Sequence, residues 1–214
     1  ELEKLIEFLN KKLYEVETYD LRLYLALYKE RRNVKNRTLD NIRKTISSFF
    51  SWLNDEGHIG RNPARALKQI KYTKEVKKPF SSVEREKLKN ACEFLRDLAL
   101  TEFLYASGLR VSEVVSLDRD NIDFIGKEAY VVGKGNKERK FYLTDICVEY
   151  LRQYLQSRTD NDAALFASVR APHRRLSKEG IETAVKRLGK KAGIENVHPH
   201  RFRRTLATDL VKKN

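Results

Sequence analysis

Three short segments hold residues whose types and spacing could act on a phosphate. In Ala106-Ser107-Gly108-Leu109-Arg110-Val111-Ser112-Glu113, Gly108 can end one helix, so that Arg110 opens the next with Glu113 one turn later. A guanidinium placed there could clamp a phosphate through two parallel donors, its fork fixed by the carboxylate. Taken alone, the pair reads equally as a surface Arg-Glu bridge on a helix. The second segment, Gly133-Lys134-Gly135-Asn136-Lys137-Glu138-Arg139, is glycine-rich but lacks the GxxxxGK[ST] pattern of a nucleotide-binding loop. As a hairpin tip it could carry Lys134 into a groove, where an ammonium can protonate a leaving oxygen; an ordinary solvated hairpin fits as well. In the third, His198-Pro199-His200-Arg201-Phe202-Arg203-Arg204, Pro199 favours a helix start. His200 and Arg203 then share one helix face and could bind a phosphate and move a proton. No Cys or carboxylate ligand accompanies the two histidines in sequence, so no metal site is expected.

The elements that must position these residues are mostly helical. Leu39, Ile42, Ile46, Phe49, Phe50 and Leu53 recur at three and four residues, which predicts a helix with one buried stripe. Phe49, Phe50 and Trp52 are expected in the core rather than on a base-stacking surface. Thr18 is expected to cap a helix beginning at Tyr19. Gly57, Gly60 and Pro63 end the long helix and start a short one. Residues 71–79, KYTKEVKKP, are charged and poor in apolar side chains, as a linker would be. Ser81-Ser82-Val83-Glu84 follows as a capping box. Ile122 to Phe124, Glu128 to Val132 and Arg139 to Leu143 alternate like short strands separated by glycine-bearing turns. The expected fold is mainly α with a small antiparallel sheet: a helical domain at 1–70, a linker at 71–79, and a mixed domain at 80–214.

Charge narrows the partner. The chain has 214 residues with 44 Lys and Arg against 30 Asp and Glu, a net charge of +14. Residues 1–75 hold 16 basic and 11 acidic side chains, residues 76–169 hold 15 of each, and residues 170–214 hold 13 and 4. Two basic regions flanking a neutral one suit a protein that grips a polyanion from two sides, because each neutralised phosphate releases counterions. Cys92 and Cys147 lie in apolar-periodic segments and read as small buried hydrophobes. With no apolar run of membrane-spanning length and no signal peptide, the expected location is the reducing cytoplasm, with no membrane partner. The absence of any Met reads as a fragment of a longer chain.

Arginine, glutamate three later, a Gly-Lys-Gly hairpin and His-x-x-Arg occur here in the order found in tyrosine recombinases, the Xer and phage or transposon integrase family. TLDNIRKTISSFFSWLNDEGHIGRNPARAL resembles the end of that family's core-binding domain, and GLRVSEVVSL, GKGNKER and PHRFRR resemble successive catalytic motifs. The resemblance implies a DNA-breaking-rejoining catalytic domain behind an all-helical core-binding domain, forming a clamp around duplex DNA. It implies that Arg110 and Arg203 hold the scissile phosphate, that Lys134 protonates the departing 5′-oxygen, and that His200 assists proton transfer at the nucleophile. Glu113 would support Arg110, and no cofactor is implied. In the family a tyrosine attacks from a segment beyond the His-x-x-Arg helix. Asn214 follows Arg203 too closely to include it, and Tyr142, Tyr150 and Tyr154 precede His200 and read as core or surface residues. The fragment is therefore expected to bind DNA without cleaving it, and its assembly into the family's tetramer is expected to be weakened. Arg204 stands where many relatives have a second histidine.

DNA contacts are expected from 35–44 and 174–178, with Lys35, Arg37, Thr38, Arg43, Arg174, Arg175 and Lys178 as candidates; most would touch phosphates rather than bases. Two other readings share these residues: a DNA-binding protein of the same fold that does no chemistry, and a type IB topoisomerase.

Overall fold

The computed structural model describes residues 1–73, 76–132 and 138–213. The chain divides into two compact units, Glu1–Val76 and Lys77–Asn214. Among the described residues no helix is long and apolar enough to cross a membrane.

The first unit is built from α1 (Leu2–Leu9), α2 (Thr18–Arg32), α3 (Asn36–Asp55) and a 3-10 turn at Pro63–Ala66. The 3.6-residue period of α3 puts Leu39, Ile42, Ile46, Phe50 and Leu53 on one buried stripe, which packs with Leu5, Leu9, Leu21 and Leu25. Trp52 departs from the expectation of a core residue. It lies off the stripe, is 51% exposed, and rests against the half-buried Phe49 and the His58 ring. The start of α2 also shifts by one residue. Glu17 is the cap, in a capping box with Asp20, while Thr18 is already helical and donates its hydroxyl to the Pro63 carbonyl at 2.7 Å.

A buried acid ties this unit together. The Asp40 carboxylate is wholly inaccessible. It accepts from Arg43 Nε at 2.8 Å and from the Ile70 backbone N–H at 3.1 Å, with Lys44 Nζ at 3.1 Å from its other oxygen. The chain beyond the 3-10 turn is thereby strapped back onto α3.

The second unit contains α4 (Ser82–Asn90), α5 (Leu95–Ser107), α6 (Val111–Ser116), β1 (Ile122–Asp123), β2 (Glu128–Val132), β3 (Glu138–Tyr142), α7 (Asp145–Gln156), α8 (Lys178–Lys191) and α9 (Pro199–Lys213). Helix α5 is its hub. Ala99, Leu100, Phe103 and Leu104 are buried, and the Phe103 ring meets Phe141 of β3 at 5.9 Å and Phe166 at 5.5 Å. Cys147 is buried in this core and Cys92 is half-buried. Burial pushes the Cys92 thiol up to about 11 and raises Cys147 as well, so neither is a ready thiolate.

The sheet is antiparallel in the order β1-β2-β3, with Ile122 opposite Ala129 and Val131 opposite Arg139. In β3, Arg139 and Phe141 share the inward face while Lys140 and Tyr142 are exposed.

Candidate active site

Helix α5 ends because Gly108 adopts φ +57°, the left-handed conformation that a side chain disfavours. A Cβ there would also approach Leu206 Cδ2 of α9 to 2.7 Å. The left-handed step reverses the chain within two residues, so that Arg110 becomes the cap of α6 in extended backbone. Its backbone N–H donates to Glu113 Oε2 at 2.7 Å and its Nη1 to Glu113 Oε1 at 3.1 Å. One carboxylate thus fixes both the helix start and the side chain. The Arg110 side chain remains 53% exposed with donors to spare.

Helix α9 supplies the second guanidinium. Arg203, half-buried, donates from Nη1 to the Gly108 carbonyl. Arg110 and Arg203, far apart in sequence, are therefore anchored to the two ends of the single Gly108–Arg110 turn. His200 lies on the same helix face one turn before Arg203 and is exposed.

Glu113 was expected to support Arg110, and a further partner completes its surroundings. Arg139 Nη2 reaches Glu113 Oε2 at 2.6 Å from β3. Burial alone would raise the Glu113 pKa; donors from Arg110 and the charge of Arg139 more than reverse this and hold it below the usual carboxylate value. Lys134 lies outside the described residues; the last described pair of the β2–β3 ladder flanking it is Val132 and Glu138.

The other arginines of the third segment face away from this turn. Arg201 donates to Glu84 Oε1 at 2.7 Å and to the Pro79 and Glu195 carbonyls, and its guanidinium lies 4.0 Å from the Phe80 ring centroid. Arg204 donates to the Lys78 carbonyl at 3.2 Å, and Phe80 N–H donates to Thr205 Oγ1 at 2.8 Å. One face of α9 thus aims at Gly108 while its flank holds the segment from Lys78 to Phe80 that leads into α4. Glu84 serves twice, in the capping box with Ser81 and in the pair with Arg201. The nearby His198 is held below the usual imidazole value by burial and by the surrounding cations Arg204 and Lys77.

The expected DNA-contacting residues divide into two kinds. Lys35 caps α3 and Arg37 and Thr38 stand in its first turn, all exposed; Arg174 is exposed before α8, and Lys178 is the first residue of α8 after its cap Ser177. Each group therefore sits at the positive end of a long helix, where backbone N–H groups favour anions. Arg43 and Arg175 are different. Arg43 is only 13% exposed and turns its Nε to the buried Asp40. Arg175 spends Nη1 on the Val115 and Leu117 carbonyls at 2.8 and 3.0 Å and pairs with Asp118. It closes the C-terminal end of α6, a role for which its neighbours in sequence give no signal.

Residues 72–214 match the Phage integrase family, and residues 1–58 match the phage integrase N-terminal SAM-like domain. The chain belongs to the phage integrase family of tyrosine recombinases. Among its relatives, the tyrosine recombinase XerC of Corynebacterium glutamicum is 34% identical over 183 residues, 81% of this chain and 59% of the relative. That of Leptospira interrogans is 32% identical over 225 residues, 99% of this chain and 72% of the relative. This integrase-family chain thus spans between about three-fifths and three-quarters of the length of these two proteins. Among solved structures, XerA recombinase superposes with a TM-score of 0.60 at 25% identity, covering 100% of this chain and 75% of that one. The Tn1549 transposon integrase in complex with a circular intermediate DNA gives 0.79 at 17% identity, with coverage of 99% and 80%. A lambda integrase dimer bound to a COC′ core site gives 0.75 at 20%, with coverage of 94% and 76%. The last two likenesses establish the fold: helical units with one small antiparallel sheet.

Proposed function

We propose that this chain grips duplex DNA and activates one phosphodiester for site-specific strand exchange, with Arg110 and Arg203 as the phosphate clamp. The observation that carries this reading is the anchoring of both guanidiniums to one short turn, which presets their separation. In the reaction a tyrosine oxygen bonds to phosphorus and the bond from phosphorus to the 5′-oxygen breaks. A 3′-phosphotyrosyl link replaces the phosphodiester, conserving it for religation. His200 receives the tyrosine proton and Lys134 delivers one to the departing 5′-oxygen. Two guanidiniums stabilise the added charge on the pentacoordinate phosphorus, a task that bound metal ions perform in other phosphoryl-transfer sites.

The attacking tyrosine, in this reading, is supplied from outside these 214 residues. Two hydroxyls of the second unit have other uses: Tyr105 donates to Asp209 at 2.8 Å, and Tyr154 accepts from the Ala167 N–H at 3.0 Å. DNA is held by Lys35, Arg37 and Thr38 on one unit and by Arg174 and Lys178 on the other. Strand exchange itself would take place between several copies assembled on DNA.

Anisotropy of a labelled duplex, titrated with the 214-residue polypeptide at several salt concentrations, tests the grip. Six phosphate-contacting cations, the four outer ones with Arg110 and Arg203, should give a slope of log affinity against log salt of about −5; a slope near zero would reject it. The same polypeptide on a nicked suicide duplex should yield no covalent protein–DNA adduct. A denaturation-resistant adduct would place the nucleophile within these residues.

A further inference from the structure

Arg139 is the one strongly basic side chain that β3 turns inward, beside Phe141, and it ends on the carboxylate that holds Arg110. Its position is fixed on both sides. The backbone is locked in the ladder opposite Val131. The Nε is buried without a hydrogen-bond partner among the described residues, and Nη2 is committed to Glu113 Oε2 at 2.6 Å. The side chain is 39% exposed, and the pairing through Nη2 turns the guanidinium toward Glu113.

Glu113 has two oxygens, and three donors share them. Oε2 takes the Arg110 backbone N–H and Arg139 Nη2; Oε1 takes Arg110 Nη1 alone. A guanidinium facing an uncommitted carboxylate settles into a two-pronged pair. Arg139 occupies the oxygen that Arg110 would need for its second prong. The pair therefore stays single-pronged, and the remaining donors of Arg110 are left for a ligand. With Arg139 present, the local charge of two guanidiniums and one carboxylate is also positive rather than neutral, which favours an anion.

We propose that Arg139 is a positioning residue, which holds Glu113 so that Arg110 presents its free guanidinium edge to the phosphate. This rests on the reading of Arg110 and Arg203 as the clamp. In the fold it would also join strand β3 to the helix that starts at Arg110.

The test uses the 214-residue polypeptide, inorganic phosphate as probe, and the Nε–Hε resonances of Arg110 and Arg203 in ¹⁵N-labelled protein. In the parent chain both resonances should move on titration. In Arg139→Leu the Arg110 resonance should already be displaced without phosphate, and its apparent affinity should weaken roughly tenfold while that of Arg203 changes little. Arg139→Lys should recover part of the response. In a Glu113→Ala background Arg139→Leu should have no further effect, because the acceptor through which it acts is gone. Thermal melts of each variant identify any that fail to fold, and the lysine variant keeps the test decisive in that event. An Arg110 resonance that titrates as in the parent when Arg139 is leucine would overturn the positioning role. So would an undiminished effect of Arg139→Leu in the alanine background, which would mean that Arg139 meets phosphate directly. If neither Arg110 nor Arg203 responds in the parent chain, the clamp itself is wrong and the positioning role falls with it.

Discussion

Replacing Asp40 by alanine is expected to destabilise the N-terminal unit by about 3 kcal/mol, because one partner of a buried, hydrogen-bonded charge pair is removed. The Ile70 N–H and the Arg43 Nε would lose their acceptor together, and Arg43 is too enclosed to recover full hydration. Lys44 adds little to this sum, since its side chain is more than half exposed. Trp52 is the chain's one tryptophan and lies in this unit, so its fluorescence in a urea titration reads the effect. Asparagine at the same position keeps an acceptor and should cost clearly less than alanine. A midpoint for alanine equal to that of the parent would show that the buried carboxylate holds nothing.

The same group sets an acid limit. Burial opposes ionisation of Asp40, but Arg43, the Ile70 N–H and Lys44 together lower its pKa to about 2 from the ordinary 3.8. The folded state therefore binds its proton less readily than the unfolded chain does. The stabilisation is whole above pH 3.8 and disappears as pH falls through about 2. In an acid titration followed by Trp52 the parent should show this limb and the alanine variant should lack it.

Gly108→Val is the second large effect, and it falls on the site itself. A branched side chain at φ +57° is strained before any contact is counted, and the Cβ would meet Leu206 at 2.7 Å. Together these should cost about 3 kcal/mol, read by far-UV circular dichroism during urea unfolding because Trp52 does not report on this unit. Alanine adds no branch, and Leu206 can swing its Cδ2 aside, so Gly108→Ala should cost about half as much. Both variants tilt the carbonyl that receives Arg203, so the Arg203 Nε–Hε resonance should move in each. A valine variant as stable as the parent, with an unmoved Arg203 resonance, would refute the anchoring role of this turn.

Much of this architecture could be read from local pattern. The stripe from Leu39 to Leu53 forms α3, the Ser81–Glu84 box opens α4, and the three alternating runs pair as one antiparallel sheet. In each case the deciding interaction lies within a few residues of sequence. Trp52 misled because three aromatics within four residues suggest a buried cluster, although helical rotation puts the third on another side. The candidate site could be proposed from its residue types, but its wiring could not be read from the sequence. Gly108 announces a helix end, but nothing nearby says that its carbonyl will face Arg203. Arg139 carried one usable signal, since it alternates with Phe141 and so must face inward, where a cation needs a carboxylate. Arg175 carried none, because its partners at Val115, Leu117 and Asp118 are distant in sequence.

The turn at Gly108 also bears on how such a chain can change length. Arg110 and Arg203 are set by where α9 meets this turn and not by the length of chain between them. Residues inserted in the connection between α7 and α8 would alter the outer contour and leave the two guanidiniums in register. A shift of one residue within α9 would instead rotate Arg203 away from the Gly108 carbonyl. Variation in size is thus cheap in the loops and forbidden in one helical face, which lets the outer surface diversify around a fixed pair of charges.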